Sequence, residues 1–238
     1  MARGGKFYGV GVGPGDPGLV TLRAVEVLGR VDVVFAARSA TRTGSTALGV
    51  VRAMVGGQAR VVELDFPMTR EMDVLEQAWD ANAKMVAKVL EQGQDAAFVT
   101  MGDPLTYSTY TYLLRSLLRI APWVEVETVP GVSAYQAAAA RLNLPLAEGK
   151  GALVVASGED EPSRITRFVE QAQSVAVMKP YRRTAVIVEA LKTIEPRPGV
   201  VGALRVGLKG ERLVLDGYSL GQRQMPYLGL LLVRRQGW

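Results

Sequence analysis

From Lys6 onward the chain alternates between short apolar runs and longer stretches in which apolar residues recur every three or four positions. The runs KFYGVGV (6–12), VDVVFAA (31–37), ARVVELD (59–65), DAAFVTM (95–101) and VEVETVP (124–130) are predicted strands. Between them GLVTLRAVEVLGR (18–30), STALGVVRAMV (45–55), TREMDVLEQAWDANAKMVAKVLEQG (69–93) and STYTYLLRSLLRI (108–120) are predicted helices. Ser45 and Thr69 are the expected N-caps, and Gly93 is the expected stop. Strands this apolar, alternating with helices, predict a parallel sheet covered on both faces.

The alternation resumes after residue 150, with strands GALVVAS (151–157), SVAVMKP (174–180) and VVGALRV (200–206). The end differs: RLVLDGYSL and YLGLLLVRR follow one another with no helix between them, which predicts an antiparallel pair closing a mixed sheet. The expected fold is therefore two α/β domains with a ligand cleft between them. Residues 1–122 form a mostly parallel sheet and residues 123–238 a mixed one. YLGLLLV suits burial in a core or in an interface.

Composition narrows the chemistry. The 238 residues, 48% of them apolar, are enough for a substantial buried core. With no cysteine and no histidine, the chain has no disulfide, thiolate nucleophile, imidazole base or histidine-dependent triad. No metal site is expected. Catalysis would have to run on carboxylates, hydroxyls, cations and backbone groups. MARGGKFYGV lacks the apolar core of a signal peptide, and no apolar stretch is long enough to span a bilayer. The expectation is a cytoplasmic protein without a membrane partner. The net charge of +5 serves solubility for most of the 28 basic residues, and the sharper reading is an anionic ligand or nucleic acid.

The first strand runs into YGVGVGPGDPGLVTL, with glycines at 9, 11, 13 and 15. It is not a dinucleotide fingerprint: counted from Gly9 the sixth position is Pro14, and from Gly11 it is Asp16. It is not a Walker A loop either, because Leu19 follows Gly18 where lysine is required. Pro14 removes a backbone donor and Asp16 would repel a phosphate. Asp16 also suits capping of the following helix. The loop does not stand alone. VTMGDPLTYST (99–109) follows the fourth strand and VPGVSAYQAAAA (129–140) the fifth. Three strands thus end in Gly/Pro turns, at the sheet edge where open α/β sheets hold ligands.

G-x-G-P-G-D-P, then G-D-P-x-x-Y-S, then V-P-G-V-[ST]-[SA] resemble the tetrapyrrole (corrin/porphyrin) methylases, and the resemblance spans the chain. LDFPMTRE (64–71), AWD (78–80) and GDPLTYSTYTYL (102–113) are similar to the precorrin-2 / cobalt-factor II C-20 methyltransferase branch. The resemblance implies S-adenosyl-L-methionine as co-substrate, S-adenosyl-L-homocysteine as product, and a homodimer. It implies cofactor contacts at Pro14, Met101, Gly102, Asp103, Thr106, Ser133, Ala134, Met178 and Val206. An aspartate that uroporphyrinogen methylases carry after the second strand is missing from VVFAARSA, so that base is not inherited. Asp103 and Tyr107 are the candidates by position for proton handling. Alternatively, Asp103 serves the turn and Tyr107 packs at the start of a helix.

The substrate so implied is a reduced tetrapyrrole with carboxylates around its rim. Arg38, Arg42, Lys179, Arg182 and Arg183, from AARSATRTGS and KPYRR, are the candidates to grip them, and Asp16 is a further substrate-side candidate. The implied activity is methylation at C-20 of precorrin-2 or cobalt-factor II in cobalamin biosynthesis. The alternatives are another ring carbon, an RNA ribose methyltransferase of the same fold, or a non-catalytic nucleotide-binding module. No interleaved basic–aromatic stripe supports RNA, so no nucleic-acid partner is expected.

Overall fold

The computed structural model describes residues 4–38, 44–223 and 225–238. The chain divides into two compact units, Met1–Ser133 and Ala134–Trp238.

The first unit is built on five parallel strands in the order β3-β2-β4-β1-β5. They are β1 (Phe7–Gly11), β2 (Val33–Ala37), β3 (Arg60–Leu64), β4 (Ala96–Thr100) and β5 (Val126–Val129). The helices are α1 (Leu22–Leu28), α2 (Thr46–Val51), α3 (Met72–Glu91) and α4 (Tyr110–Ile120). Phe7 of β1 stands opposite Ala96 of β4 and Val126 of β5, and the register runs on to Gly11 opposite Thr100 and Val10 opposite Val129. β4, β1 and β5, neighbours at one side of the sheet, therefore finish level, and the turns after them emerge side by side. Phe7, Phe35 and Phe98 meet Val86 and Leu90 of α3 and Tyr110, Leu113 and Leu117 of α4 in one buried cluster.

Several expectations need correction here. The first unit extends through Ser133 rather than ending at 122, because β5 pairs in parallel with β1 and belongs to the first sheet. Thr69 does not cap α3. The helix starts at Met72 with Glu71 as N-cap and no side-chain cap bond, and the Thr69 hydroxyl instead accepts from the Glu71 N–H at 3.2 Å. The stretch 18–30 is split: a 3-10 turn at Pro17–Leu19 capped by Asp16 precedes α1, which is capped by Thr21. Ser45 does cap α2.

The second unit holds a mixed sheet in the order β6-β7-β10-β8-β9. Its strands are β6 (Leu153–Ser157), β7 (Ser174–Met178), β8 (Gly199–Leu204), β9 (Arg212–Val214) and β10 (Gly229–Arg234). Its helices are α5 (Ala134–Leu142), α6 (Pro162–Gln171) and α7 (Thr184–Leu191). β6 and β7 are parallel, and β10 runs antiparallel to both β7 and β8. The predicted pairing of the last two strands does not form: β9 pairs with β8, and β10 lies on the other side of β8. A 3-10 helix, Gly217–Gln222, follows β9 in the chain. Burial explains the arrangement. GLLLV of β10 is buried throughout and takes the middle of the sheet, while half-exposed RLV takes the edge. The apolar YLGLLLV stretch is thereby committed to this core, beside Val175, Val177, Ile187 and Leu191. No helix among the described residues is long and apolar enough to cross a membrane.

A chain of charges runs along the β1–β5 edge of the first unit. Lys6 pairs with Glu125 at 2.8 Å and Glu127 at 3.0 Å, and Arg23 pairs with Glu127 at 2.7 Å and Glu26 at 2.8 Å. Arg23 above all, then Lys6, holds the Glu127 carboxyl below its ordinary value of 4.5, and Arg23 does the same for Glu26. Arg119, with Ser116, lowers Asp80. Carboxyls depressed in the folded state stabilise it above their unfolded pKa values, and that contribution is lost as pH falls through the folded values. The raised Lys6, held by Glu125 and Glu127, acts the other way: its contribution is complete below the ordinary lysine pKa and is lost at strongly alkaline pH. Thermal midpoints are therefore expected to fall below about pH 4.5. Glu127→Gln should flatten part of that acid limb, and added salt should shrink the difference because the pairs are exposed. An unchanged acid limb in Glu127→Gln would remove this network from the account.

Candidate active site

The level ends of β1, β4 and β5 bring three turns together. The Gly102 N–H donates to the Gly13 carbonyl at 2.7 Å, and the Gly13 N–H returns to the Gly102 carbonyl at 3.4 Å. The backbones pack so closely that side chains are excluded between them. A Cβ on Gly11 would lie 2.7 Å from both the Gly102 oxygen and the Gly131 nitrogen, and one on Gly131 would lie 2.2 Å from the Gly102 oxygen. Gly102 itself differs. Its φ of +68° is left-handed, yet a Cβ there would meet nothing nearer than Ser133 Cα at 3.9 Å. The outer face of this turn is thus bare backbone beside free space, which suits close approach by a ligand.

The Asp103 carboxylate joins two of the turns. Oδ1 accepts from the Leu105 N–H at 2.9 Å and from the Thr106 hydroxyl at 3.3 Å, while Oδ2 accepts from the Gly131 N–H at 3.2 Å. The far end of the 102–109 segment is pinned too. Thr100 and Ser108 share a hydroxyl–hydroxyl bond of 2.9 Å, and the Tyr110 N–H donates to Ser108 Oγ at 3.2 Å. Tyr110 is fully buried over Gly9, where a Cβ would lie 2.1 Å from its ring. Its phenol oxygen bonds Thr128 at 2.8 Å, and burial pushes its pKa up. Tyr107, by contrast, is 44% exposed with a left-handed φ of 49°. A bulky residue held in that conformation is a mark of functional constraint.

Of the sequence candidates in the first unit, Pro14 and Ser133 are buried at the turns, and Met101, Gly102, Asp103 and Thr106 are half-buried along one of them. Asp16 is turned to capping: its Oδ1 accepts from the Gly18 N–H at 2.9 Å. Arg38 stands at the end of β2 between Glu63 at 3.5 Å and Asp65 at 3.4 Å, so its charge is already matched within the unit. Arg42 lies outside the described residues.

In the second unit, Ala134 opens α5, Met178 ends β7, and Val206 is buried just past β8. β10 lies between β7 and β8, so Met178 and Val206 flank its start. The Lys179 N–H donates to the Gly229 carbonyl at 3.0 Å and the Arg205 N–H to the Leu228 carbonyl at 2.7 Å. Lys179, Tyr181 and Arg205, all left-handed without being glycine, cluster at this same end of the sheet. The Lys179 ammonium sits 5.3 Å from the centre of the Tyr227 ring. Arg183 pairs with Glu161 at 3.2 Å, whereas Arg182 lies over the Tyr181 ring. Sequence reasoning missed Tyr110 and Tyr227. The signal for Tyr110 was Gly9 in the middle of an apolar strand, a place where another group must approach. Tyr227 carried no local signal.

Both units therefore carry their specialised backbone at the carboxyl ends of parallel-running strands, the ligand edge of open α/β enzymes. Residues 6–217 match the family model described as Tetrapyrrole (Corrin/Porphyrin) Methylases. The chain belongs to this family, and its class is methyltransferase. It is 32% identical to the cobalt-precorrin-2 C(20)-methyltransferase of Salmonella typhimurium, covering 98% of this chain and 97% of that one. It is 35% identical to the probable cobalt-precorrin-2 C(20)-methyltransferase of Methanocaldococcus jannaschii, over 97% and 96% of the two chains. Among solved structures, the uroporphyrin-III C-methyl transferase of Thermus thermophilus complexed with S-adenyl homocysteine shares the fold. Its TM-score is 0.71 at 23% identity, with 97% of this chain and 92% of that one covered.

Proposed function

We propose that this protein transfers a methyl group from S-adenosyl-L-methionine to C-20 of precorrin-2 or cobalt-factor II in cobalamin biosynthesis. The observation that carries the reading is the triple-turn junction of Gly13, Gly102 and Gly131, with its open outer face, in a chain similar end to end to C(20)-methyltransferases. S-adenosyl-L-methionine supplies an electrophilic methyl and leaves as the thioether S-adenosyl-L-homocysteine. The meso carbon of a reduced tetrapyrrole is already enamine-like, so the protein needs no histidine or cysteine to activate it. Its work is alignment and exclusion of water. Gly102, Asp103 and Thr106 fix the turn that receives the donor, with Pro14, Met101 and Ser133 beside it. Tyr107, exposed at the rim of that turn, is the candidate by position for handling the proton that the meso carbon loses, which a tyrosine accepts only as its phenolate.

The test offers carbon-13 methyl-labelled donor, under strict anaerobiosis, with precorrin-2, cobalt–sirohydrochlorin and uroporphyrinogen III. Product is read by mass and carbon NMR. Label on C-20 of either of the first two is expected, and their relative rates decide whether the ring carries cobalt. Label confined to uroporphyrinogen would move the protein to another branch. Donor binding without labelling of any macrocycle would end the tetrapyrrole reading.

A further inference from the structure

The connection from β7 to α7 combines constrained backbone with charged and aromatic side chains. Beyond Met178 the chain turns through Lys179 and Tyr181, at φ 53° and 30°, conformations that side-chain-bearing residues adopt only under constraint. Tyr181 meets Tyr227 edge-on at 6.2 Å, and Lys179 covers the Tyr227 ring. On this connection opens a cavity of about 360 Å³, lined by Tyr181, Arg182 and Thr184, and by Gln222 and Arg223 from the segment that precedes β10. Among the described residues no carboxylate lines it.

The charge pattern around the cavity is selective. Arg183, next in the chain, is matched by Glu161, as Arg141 is by Glu211 and Arg234 by Glu148. Arg182 and Arg223 form no ion pair with any described carboxylate, and two separate segments bring them to one cavity. Two guanidinium forks on a cavity without an acid are placed to take a carboxylate by paired N–H donors. The hollow is open to solvent, and its volume, at the low end for a small-molecule pocket, is enough for one acid arm.

We propose that this cavity is a carboxylate-recognition site, with Arg182 and Arg223 as its charged donors and Tyr181, braced edge-on by Tyr227, as part of its wall. Only the identity of the arm, an acid side chain at the rim of a tetrapyrrole, rests on the methyl-transfer reading. Phosphate shares the anionic chemistry and is separated by the test.

The experiment titrates the full chain with three probes: the octacarboxylate uroporphyrin III, citrate and inorganic phosphate. Wild type is compared with Arg182→Gln, Arg223→Gln and the double variant. S-adenosylhomocysteine titration and circular dichroism run alongside. The expected result is uroporphyrin affinity lowered roughly tenfold or more in the double variant, with S-adenosylhomocysteine affinity within about twofold of wild type. Citrate weakened in parallel would extend the site to free acids. Uroporphyrin and citrate bound equally by wild type and double variant, or by neither, would overturn the proposal. So would a loss confined to phosphate. If wild type fails to bind S-adenosylhomocysteine while the arginine variants still lose uroporphyrin, the methyl-transfer reading falls and the carboxylate site stands.

Discussion

A Gly131→Ala protein is expected to fold and to bind S-adenosylmethionine roughly ten- to a hundredfold more weakly than wild type. The new Cβ would lie 2.2 Å from the Gly102 oxygen and 2.9 Å from the Gly11 carbonyl carbon, and both are backbone atoms that cannot swing aside. The turns must separate, and overpacking of this kind costs about 1–3 kcal/mol. If the donor requires the closed junction, that energy reappears as a weaker apparent Kd. Gly102→Val tests the other face of the same turn. Its Cβ has room, but a β-branched residue at φ +68° is strained and its methyl groups enter the free space beside Ser133. It should lose donor binding with its circular dichroism unchanged. Calorimetric titration reads both. Wild-type affinity in a folded Gly131→Ala protein would show that the junction is a structural turn without a part in donor binding.

Asp103→Asn is expected to raise the KM for S-adenosylmethionine by roughly ten- to a hundredfold, leaving kcat and its pH dependence nearly unchanged. The position of Asp103 beside the donor turn made it a candidate base. Its geometry favours holding. Both oxygens are engaged, by Leu105, Thr106 and Gly131. An amide that keeps its oxygen toward Leu105 and Thr106 turns its NH2 toward the Gly131 N–H, donor against donor, so the link between the two turns opens. A loss of kcat with KM unchanged, or a shifted pH profile for kcat, would return Asp103 to proton transfer. Tyr107→Phe provides the contrast, since it removes the phenol oxygen and keeps the bonds that Asp103 accepts from Leu105, Thr106 and Gly131.

Much of this was legible before any coordinates. The alternation of buried strands with helices stated the α/β class and the parallel first sheet, because a strand covered on both faces must be apolar throughout. Ser45 announced its cap, whereas Asp16 caps a 3-10 turn rather than α1, and Thr69 bonds the Glu71 N–H without capping α3. The three Gly/Pro turns could be read as one ligand edge, although their interlock could not: it depends on β1, β4 and β5 lying adjacent and level. Strand order is a long-range property. Nothing near 229–234 in the chain says that this segment enters between β7 and β8, and the expected β9–β10 hairpin failed for that reason. The division at 122 failed likewise, because the partner of β5 is more than a hundred residues upstream. Charges were the least legible. Arg38 and Arg183, expected as substrate grips, also pair with carboxylates of their own units, while Arg223, which the sequence did not single out, lines a cavity.

The central place of β10 also fixes an order of events during synthesis. Its neighbours β7 and β8 leave the ribosome tens of residues before it does, and each then presents an open row of amide and carbonyl groups. Until Gly229–Arg234 arrives, the second unit is two half-sheets with a missing middle, the kind of exposed edge that captures other chains. The first unit has no such wait, since its last strand, β5, is complete before residue 134 and docks at an outer position of its sheet. The nascent protein thus carries a finished first unit while the second is still incomplete. Chaperone dependence, sensitivity to stalled translation and aggregation of truncated products should all concentrate in the second half of the chain.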